Sequence, residues 1–559
     1  MKIKLLTLGF LAMFLLVIGR LFYWQVIKGA DLASQARRQY EYNDTVVAPR
    51  GNILASDGSW LVSQADAYLV YVEIPKLTKS PAEVAKLVVP ILGEDDDKRI
   101  LGLLSQKSVV WVAIKQKVTP EIKDALTQLN IAGLGFQIIE DRFYTEASSS
   151  AQLLGFVGKD AQGADTGYFG LEGYYNLTLT GKPGFNQSEL DAAGNPLAIG
   201  DSREVSAIGG IDLVTHIDKS IQLMVEKKLQ DGIAKYEATG GTVIIMNPKN
   251  GAIIAMASSP SFDPRSYFNY TSELFKNPAI TNTFEPGSIF KVLVMASAMD
   301  AGVVKPDTVC DICAGPFKVD KYYIDTWNNK YNPGSTMLDV IIHSDNVGMA
   351  FVSQKMGADM LYDYLDKFGI GRLTGIDLQG EVTPKMREKG TWNIVDLATA
   401  SFGQGIAVTP IQMAKAVSII ANGGIDVTPQ VVGSLKGDVW NSDIKPKMGK
   451  RIISEQAAKD MAAMMAEAAS KGEAKWTYIP GFNIAGKTGT AQIPIAGHYD
   501  PTNTIASYIG FAPADNPKFV MLVILNQPKS SIWASETAAP LWYGIAKDLF
   551  VFLGVQPEN

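Results

Sequence analysis

The first 27 residues constrain this chain more than any other stretch. Leu5 to Gly19 is fifteen residues without a charge, Arg20 interrupts, and Leu21 to Ile27 continues apolar and aromatic. As one helix, 5–27 would rise roughly 35 Å, enough to cross the hydrocarbon core of a bilayer with some tilt. Arg20 is costly at mid-depth, but it stands in the second half of the run, where a guanidinium can snorkel to the interface. Phe22, Tyr23 and Trp24 suit an interfacial aromatic belt, and Lys2 and Lys4 ahead of the run favour an inside amino terminus. No small-x-small cleavage pattern follows, and the run is longer than a signal core. The segment therefore reads as an uncleaved anchor rather than a signal peptide, with residues 1–4 cytoplasmic and everything after 27 outside.

A chain of 559 residues is too long for one ordinary domain. With 47% hydrophobic and 19% charged residues it has material for sizeable cores. The net charge of -6 argues against nucleic acid as the main partner. His216, His343 and His498 stand far apart with no second ligand at metal spacing, so neither a metal nor another cofactor is expected. Cys310 and Cys313 lack a second cysteine pair to complete a zinc site, and no thioredoxin-like pattern surrounds them. A structural role fits them best, as a small local disulfide in an oxidising compartment or as two ordinary thiols.

After the anchor, residues 28–43 read as a helical neck and 48–58 as a turn-rich strand and hairpin. Tyr68 to Ile74 reads as a strand, 82–92 and 121–129 as helices, and the apolar run 151–158 as a buried strand. Nothing between 40 and 205 sets a nucleophile beside a base, so 28–208 is expected to be a non-catalytic α+β pedestal. The remainder, 209–559, opens with Asp212-Leu213-Val214-Thr215 and a helix over 219–236. Two apolar strands, 242–246 and 252–257, flank the turn Asn247-Pro248-Lys249-Asn250-Gly251. Helices are predicted over 360–368, 410–422, 454–470 and 538–553, and strands over 505–511 and 518–526. Strands at both ends with helices between them imply one sheet assembled from distant segments and covered by helices.

Within this second region, Glu285-Pro286-Gly287-Ser288-Ile289-Phe290-Lys291 sets a hydroxyl one helical turn ahead of an amine, at the head of an apolar run. Alone the pair means little, because Ser442 and Lys445 have the same spacing in a polar stretch. Downstream come Ser344-Asp345-Asn346 and then Lys487-Thr488-Gly489-Thr490, the latter reading as an edge strand. Each is common by chance. The ordered set is the one shared by penicillin-binding proteins and class A β-lactamases.

The chain resembles a class B penicillin-binding protein, a peptidoglycan D,D-transpeptidase held by one amino-terminal helix. Arg50-Gly51-Asn52-Ile53, Leu154-Gly155-Phe156-Val157-Gly158, Gly170-Leu171-Glu172, Phe402-Gly403-Gln404-Gly405 and Gly510-Phe511-Ala512-Pro513 extend the likeness over essentially the whole chain. Glu285-Pro286-Gly287-Ser288 is closer to the cell-division subgroup than to the elongation subgroup. Thr145 departs from the proline usual after Tyr144, and Cys310 and Cys313 are unusual for the family. The implied fold class is α/β multidomain: one transmembrane helix, an α+β pedestal of dimerisation type, and a transpeptidase domain. In that last domain a mostly antiparallel sheet is covered by helices, as in serine β-lactamases. The resemblance also implies acylation by β-lactam antibiotics, a place in the bacterial inner membrane, and a SEDS-type glycosyltransferase among the partners.

Each motif residue then has an expected task. Ser288 attacks the penultimate carbonyl of a stem peptide ending in D-Ala-D-Ala, and Lys291 is its base. Burial and the charge of Lys487 would bring Lys291 toward neutrality. Ser344 relays protons and Asn346 holds the substrate backbone. Lys487, Thr488 and Thr490, around Gly489, face the terminal carboxylate. The family likeness puts the oxyanion hole at the backbone N–H groups of Ser288 and Thr490. No Glu-x-x-Leu-Asn pattern lies between Asn346 and Lys487, so the water-activating glutamate of a class A β-lactamase is not in evidence. Carboxypeptidase side activity, a β-lactam sensor and a scaffold of a division complex are the competing readings. Asp345 is expected to cap a turn, His343 to pack or hydrogen-bond, and Trp533 to pack or to flank the cleft.

Overall fold

The computed structural model describes residues 2–93, 97–106, 109–146, 150–189, 202–495 and 498–558. The chain forms two compact units, one joining Met1–Gly51 with Thr180–Gly210 and the other joining Asn52–Leu179 with Ile211–Asn559. The division expected at 208/209 falls beside one of these boundaries; those at 51/52 and 179/180 have no counterpart in the sequence reading.

In the first unit the apolar run forms a helix, Lys2–Phe22, continued by a π-helical turn, Tyr23–Ile27. Among the described residues it is the one helix long and apolar enough to cross a membrane, and none of its side chains is buried by protein. The neck helix Gly29–Tyr40 follows. Strands Glu41–Val46, Gly184–Glu189 and Ser202–Val205 then form a three-stranded antiparallel sheet.

The second unit holds two large sheets. In one, pedestal strands and strands from beyond residue 211 share a ladder. Ile53–Leu54 runs parallel to Asp212–Thr215, which pairs with Val432–Lys436, while the long strand Trp60–Glu73 pairs with Trp111–Val118 and Leu134–Tyr144. Asn52 secures this seam by donating its backbone N–H (2.6 Å) and side-chain amide (3.1 Å) to Asp212 Oδ1. Buried Glu172 accepts from Arg142 Nε at 2.8 Å, a chemical reason for a glutamate in Gly170-Leu171-Glu172.

The other sheet is built from β1 (Gly240–Met246), β2 (Ile253–Ser259), β3 (Ala485–Ile495), β4 (His498–Ala512) and β5 (Phe519–Asn526). All neighbours are antiparallel, in the order β2-β1-β5-β4-β3, which leaves β3 on an edge. Alternate residues of β5 serve opposite faces. Val520, Leu522 and Ile524 join a core with the helices α2 (Lys291–Asp300), α4 (Asn346–Met356), α5 (Pro410–Ala421) and α6 (Glu455–Lys471). Met521, Val523 and Leu525 join another with α1 (Lys219–Tyr236) and α7 (Ala538–Phe552). Between α2 and α4 lies a short helix, α3 (Met337–Ile342). A sheet covered on both faces needs apolar residues at every position of its central strand, which is why β5 reads as an unbroken apolar run.

The neck, expected to be helical through 43, turns into a strand at Glu41. Residues 151–158 are not a single strand: Ala151–Leu154 is a helical turn, and only Phe156–Lys159 is extended. Gly155, at φ 80°, breaks the run, and short apolar stretches do not reveal their period.

Candidate active site

Ser288 stands on a 3-10 turn, Gly287–Phe290, that runs directly into α2 at Lys291. In a 3-10 turn positions i and i+3 eclipse, so the hydroxyl and the amine share one side of the chain. Ile289 and Phe290, fully buried, anchor the turn, while Ser288 stays half-buried and opens on a cleft. Two close approaches hold it there. Gly287 N–H donates to Gly403 O (3.0 Å), and a Cβ on Gly403 would lie 2.3 Å from Gly287 O at a φ of 78°. On the other side, a Cβ on Gly489 would lie 2.8 Å from Ile289 Cγ2 and 3.0 Å from Pro286 O. Both glycines are there because backbone or core presses on them. Glu285 completes the brace, accepting from Gly405 N–H (3.1 Å) and from Tyr499 OH (3.1 Å).

Ser344 lies in the tight junction between α3 and α4, at φ 54°. Asp345 caps α4 as expected, accepting from Val347 N–H at 2.8 Å and Gly348 N–H at 3.2 Å. The junction turns Ser344 and Asn346 toward the lysines. Lys291 Nζ donates to Ser344 O (2.6 Å) and Asn346 Oδ1 (2.7 Å), and lies 3.3 Å from Ser344 Oγ. Asn346 Nδ2 donates to Asp325 O at 3.0 Å. From β3, Lys487 Nζ donates to the same Ser344 Oγ at 2.9 Å and to Thr488 Oγ1 at 3.2 Å. Thr490 Oγ1 accepts from Ala534 N–H at 3.0 Å, which leaves its own hydrogen free to donate.

Both lysines are buried, Lys291 at 0% exposure and Lys487 at 3%. Burial, aided by the charge of Lys487, lowers Lys291 to about 7, against the opposing pull of Glu473 and Asp345. Lys487 is lowered by burial, with Glu473 again opposing. A neutral Lys291 has two hydrogens and a lone pair. Ser344 O and Asn346 Oδ1 take the hydrogens, so the lone pair is available to a hydroxyl.

The cleft is lined by Ser288, Ser344, Asn346 and Thr490 together with Trp327, Phe402, Gln404, Glu473 and Trp533, which lie outside the three catalytic motifs. Trp327 and Trp533 meet edge to face with centroids 5.2 Å apart. Gln404 lies inside a quoted family motif, and Trp533 carried one of two readings; Trp327 and Glu473 come from loops without periodicity. His343 is exposed rather than packed, and its carbonyl accepts from Trp327 Nε1 at 3.3 Å. Cys310 and Cys313 form a buried disulfide.

Comparison with known proteins agrees with this geometry. Residues 241–550 match the penicillin binding protein transpeptidase domain, and residues 45–215 match the penicillin-binding protein dimerisation domain. Stage V sporulation protein D of Bacillus subtilis is 32% identical over 98% of this chain and 85% of its own length. Peptidoglycan D,D-transpeptidase FtsI of Buchnera aphidicola subsp. Baizongia pistaciae is 30% identical over 97% of this chain and 94% of its own. The crystal structure of a peptidoglycan synthetase from Bifidobacterium adolescentis is similar with a TM-score of 0.74 at 27% identity, covering 93% of this chain and 98% of that one. The chain belongs to the penicillin-binding protein transpeptidase family, in its class B form with a dimerisation domain ahead of the transpeptidase domain. Its activity is that of a peptidoglycan D,D-transpeptidase.

Proposed function

We propose that this transpeptidase works through a Ser288 acyl-enzyme, with Lys291 as base. The observation that carries the reading is the convergence of Lys291 and Lys487 on Ser344, with Asn346 Oδ1 accepting from Lys291, beside the turn that presents Ser288. Ser288 Oγ attacks the carbonyl of the penultimate D-Ala and passes its proton to the Lys291 lone pair. The backbone N–H groups of Ser288 and Thr490 hold the oxyanion, the latter on an edge strand whose outer backbone groups are open to a ligand. As the tetrahedral intermediate collapses, the leaving D-Ala amine takes a proton through Ser344. The amine of a second stem peptide then attacks the acyl-enzyme, its proton returns by the same relay, and Ser288 is restored. Lys487, Thr488 and Thr490 receive the terminal carboxylate, and Asn346 holds the peptide backbone.

In the same reading residues 28–208 support the domain that starts near 209. Lys2 and Lys4, at the start of the membrane helix, favour an amino terminus in the cytoplasm and a catalytic domain outside. A membrane-embedded glycosyltransferase of the SEDS type is the partner the family suggests, and the FtsI relative suggests a role in division. The deciding experiment is labelling with a fluorescent penicillin followed by mass mapping of the acylated residue. Acylation at Ser288, lost in Ser288→Ala, is expected; label elsewhere, or label retained in Ser288→Ala, overturns the nucleophile. Release of D-Ala without any dimeric stem peptide would replace the cross-linking with carboxypeptidase activity.

A further inference from the structure

The hydrogen-bonded chain does not end at the motif residues. From Lys291 Nζ it passes to Ser344 Oγ (3.3 Å), Lys487 Nζ (2.9 Å) and Thr488 Oγ1 (3.2 Å), and then to Glu473 Oε2 at 2.7 Å. Glu473 is a carboxylate on the wall of the catalytic cleft, half-buried, in the loop between α6 and β3. Its bond to Thr488 consumes the hydrogen that this hydroxyl would otherwise give to a ligand anion. In the acyl-transfer reading above, that ligand anion is the terminal carboxylate of the substrate. Two carboxylates thus share one donor and one nearby cation.

We infer that Glu473 is a positioning residue that stands in for the substrate's terminal carboxylate in the resting site. It holds the Thr488 hydroxyl and balances Lys487 until the substrate carboxylate takes over both tasks. The physical reason is charge. Two amines are buried within one network, and a buried cation is costly unless an anion faces it. Lys487 can stay cationic, and so keep Lys291 neutral, only where something supplies that anion. Asp345 is committed to the α4 N-terminus through Val347 and Gly348. The other ionisable groups around a second recess that shares Glu473 and Trp327 are Lys330, His343, Lys471 and Lys475, none of them a carboxylate. Among the groups lining the two recesses, Glu473 is therefore the carboxylate placed to serve Lys487. The substrate displaces it from Thr488 instead of adding to it, because two carboxylates beside one hydroxyl repel.

This inference rests on the Ser288 acyl-enzyme reading, and its test separates the two. The full chain in detergent is acylated by a fluorescent penicillin, which carries a carboxylate of its own, between pH 5.5 and 9.5. Both kinact/KI, which reports the free enzyme, and kinact at saturation are measured. Glu473→Gln keeps the size of the side chain and an acceptor for Thr488 but removes the charge. Because Glu473 opposes the lowering of both lysines, its loss makes both titrate at lower pH. The whole bell of kinact/KI is expected to move acidward by about half to one pH unit, while the kinact profiles of the two proteins nearly coincide. Glu473→Asp, which keeps the charge, returns the bell toward its wild-type position. Thermal melting of both variants shows whether each is folded. A kinact/KI bell that only changes height overturns the role, since a structural contact would do that much. So does an equal displacement in kinact, which would mean that the substrate carboxylate does not replace Glu473. Wild type that fails to acylate at Ser288 would instead bring down the acyl-enzyme reading itself.

Discussion

Ser288 and Lys291 have a twin in Ser442 and Lys445, the same two residue types three positions apart. At the first pair the chain winds into a 3-10 turn and a buried helix, so both side chains lie on one side. At the second it is a short strand, Asn441–Asp443, at the outer end of the other sheet, and both residues are exposed. The strand ends at Asp443, so Lys445 lies beyond it and no helical turn brings the two side chains to one face. Lys445 is open to water, whereas Lys291, with no exposure and a second lysine in the same network, is drawn down to about 7. Spelling is shared between the two sites; desolvation and company are not.

The comparison can be broken at several points. Ser288→Ala is expected to cut penicillin acylation on the order of 10⁵-fold or more, read by labelling kinetics. Lys291→Ala should cost about 10²- to 10⁴-fold in the same assay, the range for removing a positioned base. Gly403→Ala tests the brace behind the turn. Its Cβ meets the backbone of Gly287, which cannot swing away, so a loss of roughly 2–4 kcal/mol in stability is expected from denaturant unfolding, with slower acylation. Gly437→Ala, beside the Ser442 hairpin, meets the exposed indole of Trp440 rather than backbone and should cost far less.

Lys487→Ala sharpens the electrostatic half of the contrast. The Lys487 charge lowers Lys291, so its removal raises Lys291 and moves the acid limb of acylation to higher pH, by about one unit. A profile with an unmoved acid limb would sever the two lysines. The smallest effect is expected at the twin: Ser442→Ala and Lys445→Ala should leave acylation unchanged and stability within about 0.5 kcal/mol.

Much of this contrast was readable beforehand. The helices over 219–236, 410–422 and 454–470 are found within a residue or two of their expected limits, because caps and periodicity agree there. The edge position of Lys487-Thr488-Gly489-Thr490 followed from its short, glycine-broken apolar lead. The sharing of one sheet between pedestal strands and Asp212–Thr215 was not legible, because pairing over such separations leaves no local pattern. Nor was Glu473, which follows the end of α6 in a loop; only the fold brings it to Thr488. The glycines of Phe402-Gly403-Gln404-Gly405 could be quoted from family likeness, but their reason, backbone pressed on backbone at Gly287, appears only in three dimensions.

The order of strands in the central sheet has a consequence for how the protein is made. β1 leaves the ribosome early but hydrogen-bonds to β5, and β3 reaches the sheet only through β4. Ser288 is synthesised about 200 residues before Lys487. A growing chain thus carries Ser288 and Lys291 through much of translation without Lys487, without the strand that holds Thr490, and with one edge of β1 unpaired and open to aggregation. On the acyl-enzyme reading, Ser288 waits for residues 485–559 before its site is complete, so acylation by a penicillin is expected to report a completed fold.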